Sequence, residues 1–523
     1  MSLIVVLFCL LAVFAFYFAN NPLRHGRAFM NRRFLNWLPL GMTYAFLYMG
    51  RYNLAVAKNS LGTLMPNEDF GFIFAAGTAV YAFSFLINGP LVDRIGGKRG
   101  ILIAAVGAAA ANVAMGVVTW LVLTNRLHIR LLWIFSAIYA LNMYFQSYGA
   151  VSIIKVKAYW FHVRERGVFG GIFGTLISFG VYFAFDWGGA IINLMKAQPT
   201  FAPGPVASFV RSLFAVGTTV NATWAVFFIP AGILCIWALI DLWLIKDTPQ
   251  DAGFPELETY DASFGHMHEQ YSAVDLLKKV FLSPLMLTFA FIELTSGALR
   301  NGIMQWYLVF ADQVKQTGNE AIVGHWGLLL CIFGIIGGFA SGTVSDKLFQ
   351  SRRAPPAAVF STFMFVMAAV MAMTLFSHPF VAGVAALLIV AAVTGVHSLM
   401  SGTAAADFGG RKATATCSGV VDGFVYLGSA IESACIGLLT SEHWAHHSWL
   451  WWPIFLMPCA LIGAILAWRI WNELPGATRH YVETMEGQLL SPVPTALYSL
   501  PVNETPGALS GAQSNSTFQV SNR

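Results

Sequence analysis

The chain has 523 residues, of which 57% are hydrophobic and 11% charged, and its mean hydropathy is +0.65. A soluble globular domain carries about 25% charged residues, so a soluble enzyme or binding domain is excluded and an all-α polytopic membrane protein is expected. The formal charge of +5 is spread as lysines and arginines over many short loops, a pattern that membrane topology explains better than a nucleic-acid partner does.

A spanning helix needs about 20 apolar residues. Such runs are predicted near residues 2–19, 36–57, 71–92, 100–123, 131–154, 168–194, 222–245, 283–310, 324–344, 356–377, 380–404, 416–440 and 449–471, which is one extra helix followed by twelve. The first run, with its linker to residue 30, lacks the basic n-region of a secretory signal and is followed by arginines, so a retained helix with its N-terminus outside is expected over a cleaved segment.

Residues 31–245 hold the first six of the twelve. The stretch "LPLGMTYAFLYMGRYNLAVA" sets Arg51 deep inside an apolar run, where a cation costs about 2.5–3.5 kcal/mol and is usually retained for a partner or a pathway. The turn "NGPLVDRIGGKRG" then joins two spans through Asp93, Arg94, Gly96 and Gly97, with Asp93 placed to pair with a cation or cap a helix. Lys155 ends a later span and Asp186 lies inside the next.

The charged connection 246–280 separates a second set of six, residues 281–471. Its first span, "LMLTFAFIELTSGALRNGIMQWYLVF", contains Glu293 and Arg300 seven positions apart, hence on one helix face about 10 Å apart. A second copy of the charged turn, "SGTVSDKLFQSRR", carries Asp346 and Lys347. Further on, His397 stands alone in a span, where helix packing is its simpler role, and Asp422, Tyr426 and Glu432 share another. Residues 472–523 are polar and expected to form a disordered cytoplasmic tail.

Three features recur at nearly constant spacing: Arg51 and Arg300 differ by 249 positions, Asp93 and Asp346 by 253, and Arg166 and Lys412 by 246. Constant offsets imply two parallel six-helix halves related by an axis along the membrane normal, with a substrate site near the midplane between them. The lysines and arginines of Arg24–Arg33, Arg94–Arg99, Lys155–Arg166, Lys246–Lys279, Lys347–Arg353 and Arg411–Lys412 all fall on one side, which is therefore expected to be cytoplasmic. The six cysteines lie within spans without paired spacing, so neither a disulfide framework nor a metal site is expected.

The charged turn and its second copy resemble the signature loop of the major facilitator superfamily. "KDTPQDAGFPELE" after the sixth helix, with "WFHVRERG", "ALRNGIMQW", "SDKLF" and "GFVYLG", resembles more closely the organophosphate:phosphate antiporter family, which includes glycerol-3-phosphate and hexose-6-phosphate transporters. The resemblance implies that Arg51 and Arg300 bind phosphate, that Tyr44, Tyr48 and Tyr426 wall the site, and that Lys155 receives the anion on the inner side, although an anchoring role suits Lys155 equally. Packing remains the plainer role for each tyrosine taken alone; outward snorkelling for Arg51 and an ion pair with Glu293 for Arg300 are the alternatives to phosphate binding.

Two family positions differ: "GFSKF" reads "AFSFL" here, putting Phe85 in place of a lysine, and the expected histidine falls at Ile177. Glu293 and Asp422 meanwhile supply carboxylates that could carry a proton or pair with a cation. A guanidinium is a planar fork of donors suited to phosphate oxygens. The resemblance thus implies a monomeric carrier in the cell (inner) membrane, C-terminus cytoplasmic, that exchanges a phosphorylated organic anion for inorganic phosphate. Asp93, Arg94, Asp346 and Lys347 would serve as gating loops. A transporter-like sensor of an organophosphate, or a proton-coupled symporter of another organic anion, are the alternatives. "GFIFAAGTAV" lacks the lysine of a phosphate-cradling loop and nothing assembles a nucleophile with a base, so neither enzymatic activity nor a cofactor is expected.

Overall fold

The computed structural model describes the backbone of residues 2–162, 165–198, 203–214, 216, 220–257, 273–315, 317–349, 352–444 and 447–473, and the side chains of these except 2–3, 166–171, 273–276, 279, 346 and 402–416. The described residues fall in one compact unit, Met1–Gly476, while a second unit, Ala477–Arg523, lies outside them. The expected tail therefore falls, but for its first two residues, outside the described residues, as do the side chains of Asp346, Arg166 and Lys412.

The regular structure of the described residues is helical. An extra helix α1 (Ser2–Ala19) precedes α2 (Arg27–Leu61), α3 (Asn67–Ile95), α4 (Gly97–Leu123) and α5 (Leu131–Trp160). The next span is α6 (Arg166–Tyr182), a π-helical stretch Phe183–Trp187 and α7 (Gly188–Leu194); a short α8 (Pro205–Leu213) then leads to α9 (Ala225–Leu244). Helix α10 (Ala273–Leu282) ends the central connection. The second half follows as α11 (Pro284–Val314), α12 (Glu320–Val323), α13 (Trp326–Leu348), α14 (Ala354–Thr374), α15 (Pro379–His397) with a π-helical continuation Ser398–Ala404, α16 (Ala405–Leu439) and α17 (Trp451–Arg469).

Among the described residues nine helices are both long and apolar enough to cross a bilayer. Helices α2, α5 and α11, with 35, 30 and 31 residues, are long enough but more polar. Helices α2 and α11 carry Arg51 and Arg300.

Local chemistry sets the boundaries. Pro284 opens α11 at a position whose N–H would be unpaired anyway, and Ser283 Oγ caps it by accepting from Met286 N–H at 3.4 Å. Between α3 and α4 the backbone turns at Gly96, φ +90°, which a side chain would strain. Asp247, from the connection after α9, accepts from Lys98 N–H at 2.7 Å and so caps α4; Asp93 instead receives Lys155 Nζ at 2.8 Å.

The halves meet along three helix pairs, α3 with α16, α2 with α11 and α6 with α13. At the end away from Lys98 and Lys155 they are sealed. Asn67 and Gln313 exchange amide hydrogen bonds at 3.1 and 2.8 Å, Ser441 Oγ donates to Glu68 at 2.7 Å, and a Cβ on Gly437 would lie 3.0 Å from Gly71 Cα. Asp186, in the first π-helical stretch, accepts from Gly327 N–H at 2.7 Å and so caps α13 from the other half. Tyr52 donates to Asn301 at 3.2 Å and Asn59 to the Leu308 carbonyl at 3.1 Å, both at the 249-residue offset that relates Arg51 to Arg300. Equivalent residues of two repeats meet each other only beside the axis that relates them, so α2 and α11 flank that axis.

Helix α1 is tied to the first half by a buried cluster. Tyr17 donates to the Met30 carbonyl, Arg33 Nε donates to Tyr17 Oη at 3.0 Å, and both Arg33 terminal nitrogens donate to Glu165 at 2.9 and 3.0 Å, with His25 Nε2 at 3.3 Å. Burial alone would raise the Glu165 carboxyl, but the His25 and Arg33 hydrogen bonds outweigh it and hold the group down at about 2. A carboxylate depressed in the folded state stabilises above its unfolded value of about 4.3, and that stabilisation is lost only as pH falls toward 2. Glu165→Gln leaves the Arg33 charge buried without its partner, a loss of about 3–5 kcal/mol. Unfolding in detergent should show a clearly lowered midpoint at neutral pH for this variant, and a difference from the parent that shrinks as the solution is acidified.

Candidate functional site

Arg51 projects from the middle of α2 and is 2% exposed. Neutral groups from three other helices take its donors: Nε donates to Gln146 Oε1 of α5 at 3.0 Å, Nη1 to Tyr426 Oη of α16 at 2.8 Å, and Nη2 to Tyr81 Oη of α3 at 3.0 Å. The guanidinium carbon also lies 4.5 Å from the centre of the Tyr48 ring and 4.7 Å from that of Tyr81, a cation–π arrangement. Tyr139 Oη and Asn142 Nδ2 donate to the Arg51 and Gly50 carbonyls, each at 3.0 Å, and so pin the backbone beneath it. Outward snorkelling is thereby ruled out for Arg51.

Arg300 projects from α11 and is half-buried; its Nε is buried and has no hydrogen-bond partner. Both cations approach Tyr426, each guanidinium carbon 5.6 Å from its ring centre, so the two carbons are within about 11 Å of each other. Among the described residues no carboxylate lies within 4.0 Å of either arginine's nitrogens. Hydroxyl and amide acceptors satisfy donors without cancelling charge. Two positive charges are therefore left facing one place in a low-dielectric setting, an arrangement that an anion completes.

Residues 40–433 match the Major Facilitator Superfamily. The chain belongs to that superfamily. Curated relatives cover nearly its whole helical region: a glycerol-3-phosphate transporter of Bacillus subtilis is 26% identical over 455 residues, 85% of this chain and 94% of that one. The membrane sensor protein UhpC of Salmonella typhimurium is 22% identical over 442 residues, 82% and 91% respectively. Among solved structures, a bacterial homologue of the human lysosomal transporter Spinster superposes with a TM-score of 0.64 at 14% identity, covering 85% of this chain and 98% of that one. These relatives agree with the resemblance to organophosphate:phosphate antiporters, and superfamily membership makes the chain a multi-pass membrane transport protein, not an enzyme.

Of the facilitator's expected site residues, the structure brings Arg51, Arg300, Tyr48 and Tyr426 together. Tyr44 stands one row behind, its ring 5.6 Å from that of Tyr48. Phe85, where the family pattern has a lysine, lies 6.3 Å from the Tyr426 ring, so the site keeps an aromatic wall there and gains no third cation. Lys155 is not part of the group. It pairs with the exposed Asp93 at the basic end of the bundle, about two and a half turns along α5 from Gln146. Arg94 and Lys347 are exposed at that end.

The alternative of a Glu293–Arg300 ion pair is not realised: Glu293 Oε2 pairs with His397 Nδ1 at 3.0 Å, while its Oε1 is buried without a partner. His397 is therefore a charged-group partner and not merely a packing residue. Ser401 donates to Asp422, one turn before Tyr426 on α16. Sequence reasoning missed Gln146, Tyr81 and His397 as members of the constellation, although a glutamine inside a spanning run is itself a signal of an interior-facing polar site.

Gln146→Leu removes the acceptor of Arg51 Nε and leaves a buried charged donor unpaired, a cost of about 1–3 kcal/mol. Gln146→Glu is the informative companion: it keeps the bond but cancels the charge. Stability in detergent should fall for the leucine variant and hold for the glutamate variant, whereas anion binding should be lost chiefly in the latter.

Proposed function

We propose that the chain is a secondary carrier that exchanges a phosphorylated small organic anion for inorganic phosphate by alternating access. The observation that carries this reading is the pair of arginines from symmetry-related helices, converging on Tyr426 with neutral partners and, at Arg300 Nε, a donor left open. Two guanidinium forks match a phosphate dianion in charge and in donor geometry. The printed names of the Bacillus and Salmonella relatives, one a glycerol-3-phosphate transporter and the other a sensor, support the anion class and set the rival.

With the basic end cytoplasmic, the sealed end is the outer one, and the site faces the inner side in the cell membrane. Closing both ends over an empty site would strand two unneutralised arginines at a penalty of several kcal/mol each. The empty carrier therefore interconverts slowly and the loaded one quickly, which produces exchange in preference to uniport. Asp93 with Lys155, Arg94 and Lys347, and the second turn with Asp346, form the latches that release as the halves rock. Each monomer holds a complete pathway.

Purified protein in liposomes loaded with phosphate provides the test. Uptake of labelled organophosphate that requires internal phosphate supports exchange; saturable binding with no flux would assign the chain to sensing instead. Arg51→Lys and Arg300→Lys should each lower exchange at least a hundredfold while the protein still inserts and folds, since a lysine cannot reproduce the fork. Normal exchange by either variant removes that arginine from the site.

A further inference from the structure

Helix α8 lies in the connection between α7 and α9, at one end of the bundle and not at its arginines. At about 100° per residue its side chains divide by direction into three groups. Ala207, Val210, Arg211 and the following Phe214 are half-buried. Val210 and Phe214 pack, with Trp120 and Leu123 of the last turn of α4 and Leu194 of α7, around the buried Met195, Ala222 and Trp224, and the Phe214 ring lies 6.3 Å from that of Phe228 on α9. Ser208 and Ser212 are exposed on a second side. Val206, Phe209 and Leu213 form the third, an apolar arc of about 60°; these three side chains are 77%, 63% and 65% exposed.

The one charge on α8 is turned away from that arc. Arg211 Nη1 donates to the Leu194 carbonyl and, at 2.8 Å, to that of Lys196, and Nη2 donates to the Ala197 carbonyl at 3.4 Å, so the guanidinium closes the C-terminal end of α7. The Met195 carbonyl accepts from Ala222 N–H at 2.9 Å, which brings the chain back to the start of α9. Helix α8 is therefore seated on the last turns of α4 and α7 and the first turn of α9, at the end of the bundle away from Lys98. Spanning helices cross about 30 Å of hydrocarbon, so their last turns mark the depth of the lipid–water boundary. The connection 195–224 contains no Asp or Glu, and its charged residues are Lys196 and Arg211, so nothing in it repels a phosphate headgroup.

We propose that α8 is an interfacial helix that binds the phospholipid surface at the sealed end of the bundle, with Val206, Phe209 and Leu213 inserted among the acyl chains. Such a helix lies in the plane of the boundary with its apolar face about 5–10 Å into it, and Ser208 and Ser212 then meet water. The three groups follow one another around the helix as bundle, lipid and water do around that position. A helix wholly in water would carry polar side chains over all of its exposed side. Nor is the arc suited to a protein: three side chains fall well short of the roughly 800 Å² per partner of a stable interface. Because Arg211 fastens α8 to the end of α7, the hold of the lipid is passed to the first half, which α8 anchors at this surface.

The test places a nitroxide label at Val206→Cys, Phe209→Cys or Leu213→Cys, and for comparison at Ser208→Cys or Ser212→Cys, in the full chain with its native cysteines replaced and reconstituted in phosphatidylcholine vesicles. Oxygen concentrates among acyl chains and a nickel chelate stays in water, so the ratio of their collision rates reports each label's surroundings. That ratio is expected to be about fivefold higher at the three apolar positions than at the serines. Equal ratios at all five would put the arc in water and overturn the proposal. Labels on the arc shielded from both reagents would overturn it in favour of a protein occupant, and spin–spin broadening would identify that protein as a second copy. A second measurement keeps every native cysteine: amide hydrogen exchange of residues 205–213 in single-copy nanodiscs should be about tenfold faster in Phe209→Asp than in the parent, and unchanged in Phe209→Leu. Equal protection in all three chains would show that the lipid does not hold this helix.

Discussion

The structure depends on a charge that is hydrogen-bonded but not neutralised. Arg51 could have been stabilised most simply by a carboxylate, yet its three directions are taken by an amide and two phenols, which fix the guanidinium without cancelling it. The field of the cation is kept for something absent from the chain. Four helices must come together to do this, α2, α3, α5 and α16, and one of them belongs to the opposite half. The same hydrogen bond that positions Arg51 also ties the halves together, so occupancy of the site and the relative position of the halves are linked through a single phenol, Tyr426.

That linkage is reinforced by symmetry. Residues 249 apart meet at Tyr52 with Asn301 and at Asn59 with Leu308, along the same two helices that carry the arginines. Outward from the arginines the contacts between halves are amides, hydroxyls and closely approaching glycine backbones, joined by two carboxylates, Glu68 and Asp186, that accept from Ser441 and from the Gly327 N–H. Amide pairs contribute about 1 kcal/mol each net and exchange readily with water. A seal held mainly by such bonds parts at modest cost.

The spans, the twelve-plus-one count and the arginine pair were legible in the sequence because each leaves a one-dimensional trace: length, hydropathy, or a cation in an apolar run. Tyr426 and Tyr48 were legible only through family motifs. What was not legible were partners chosen by packing. Gln146 meets Arg51 across 95 residues, and His397 meets Glu293 across 104, although Arg300 shares Glu293's own helix face. Spacing on one helix predicts which residues share a face, but rotamers and the neighbouring helix decide which of them bond. Lys155 shows the converse: its place in the motif pointed to substrate, and its position along α5 put it beside Asp93.

The two halves are thus alike in backbone and unlike in chemistry. The first half supports its arginine with neutral acceptors, Gln146 and Tyr81, and places Phe85 beside the site. The second half carries Glu293 on the helix of its own arginine, paired with His397, and Asp422 one turn before Tyr426. A symmetric pair of cations would bind a symmetric anion and respond to nothing else. Glu293, His397 and Asp422 lie on α11, α15 and α16 of the second half, and α16 also supplies Tyr426 to Arg51. The asymmetry therefore lies beside Arg300, while Tyr426 reaches both guanidinium groups.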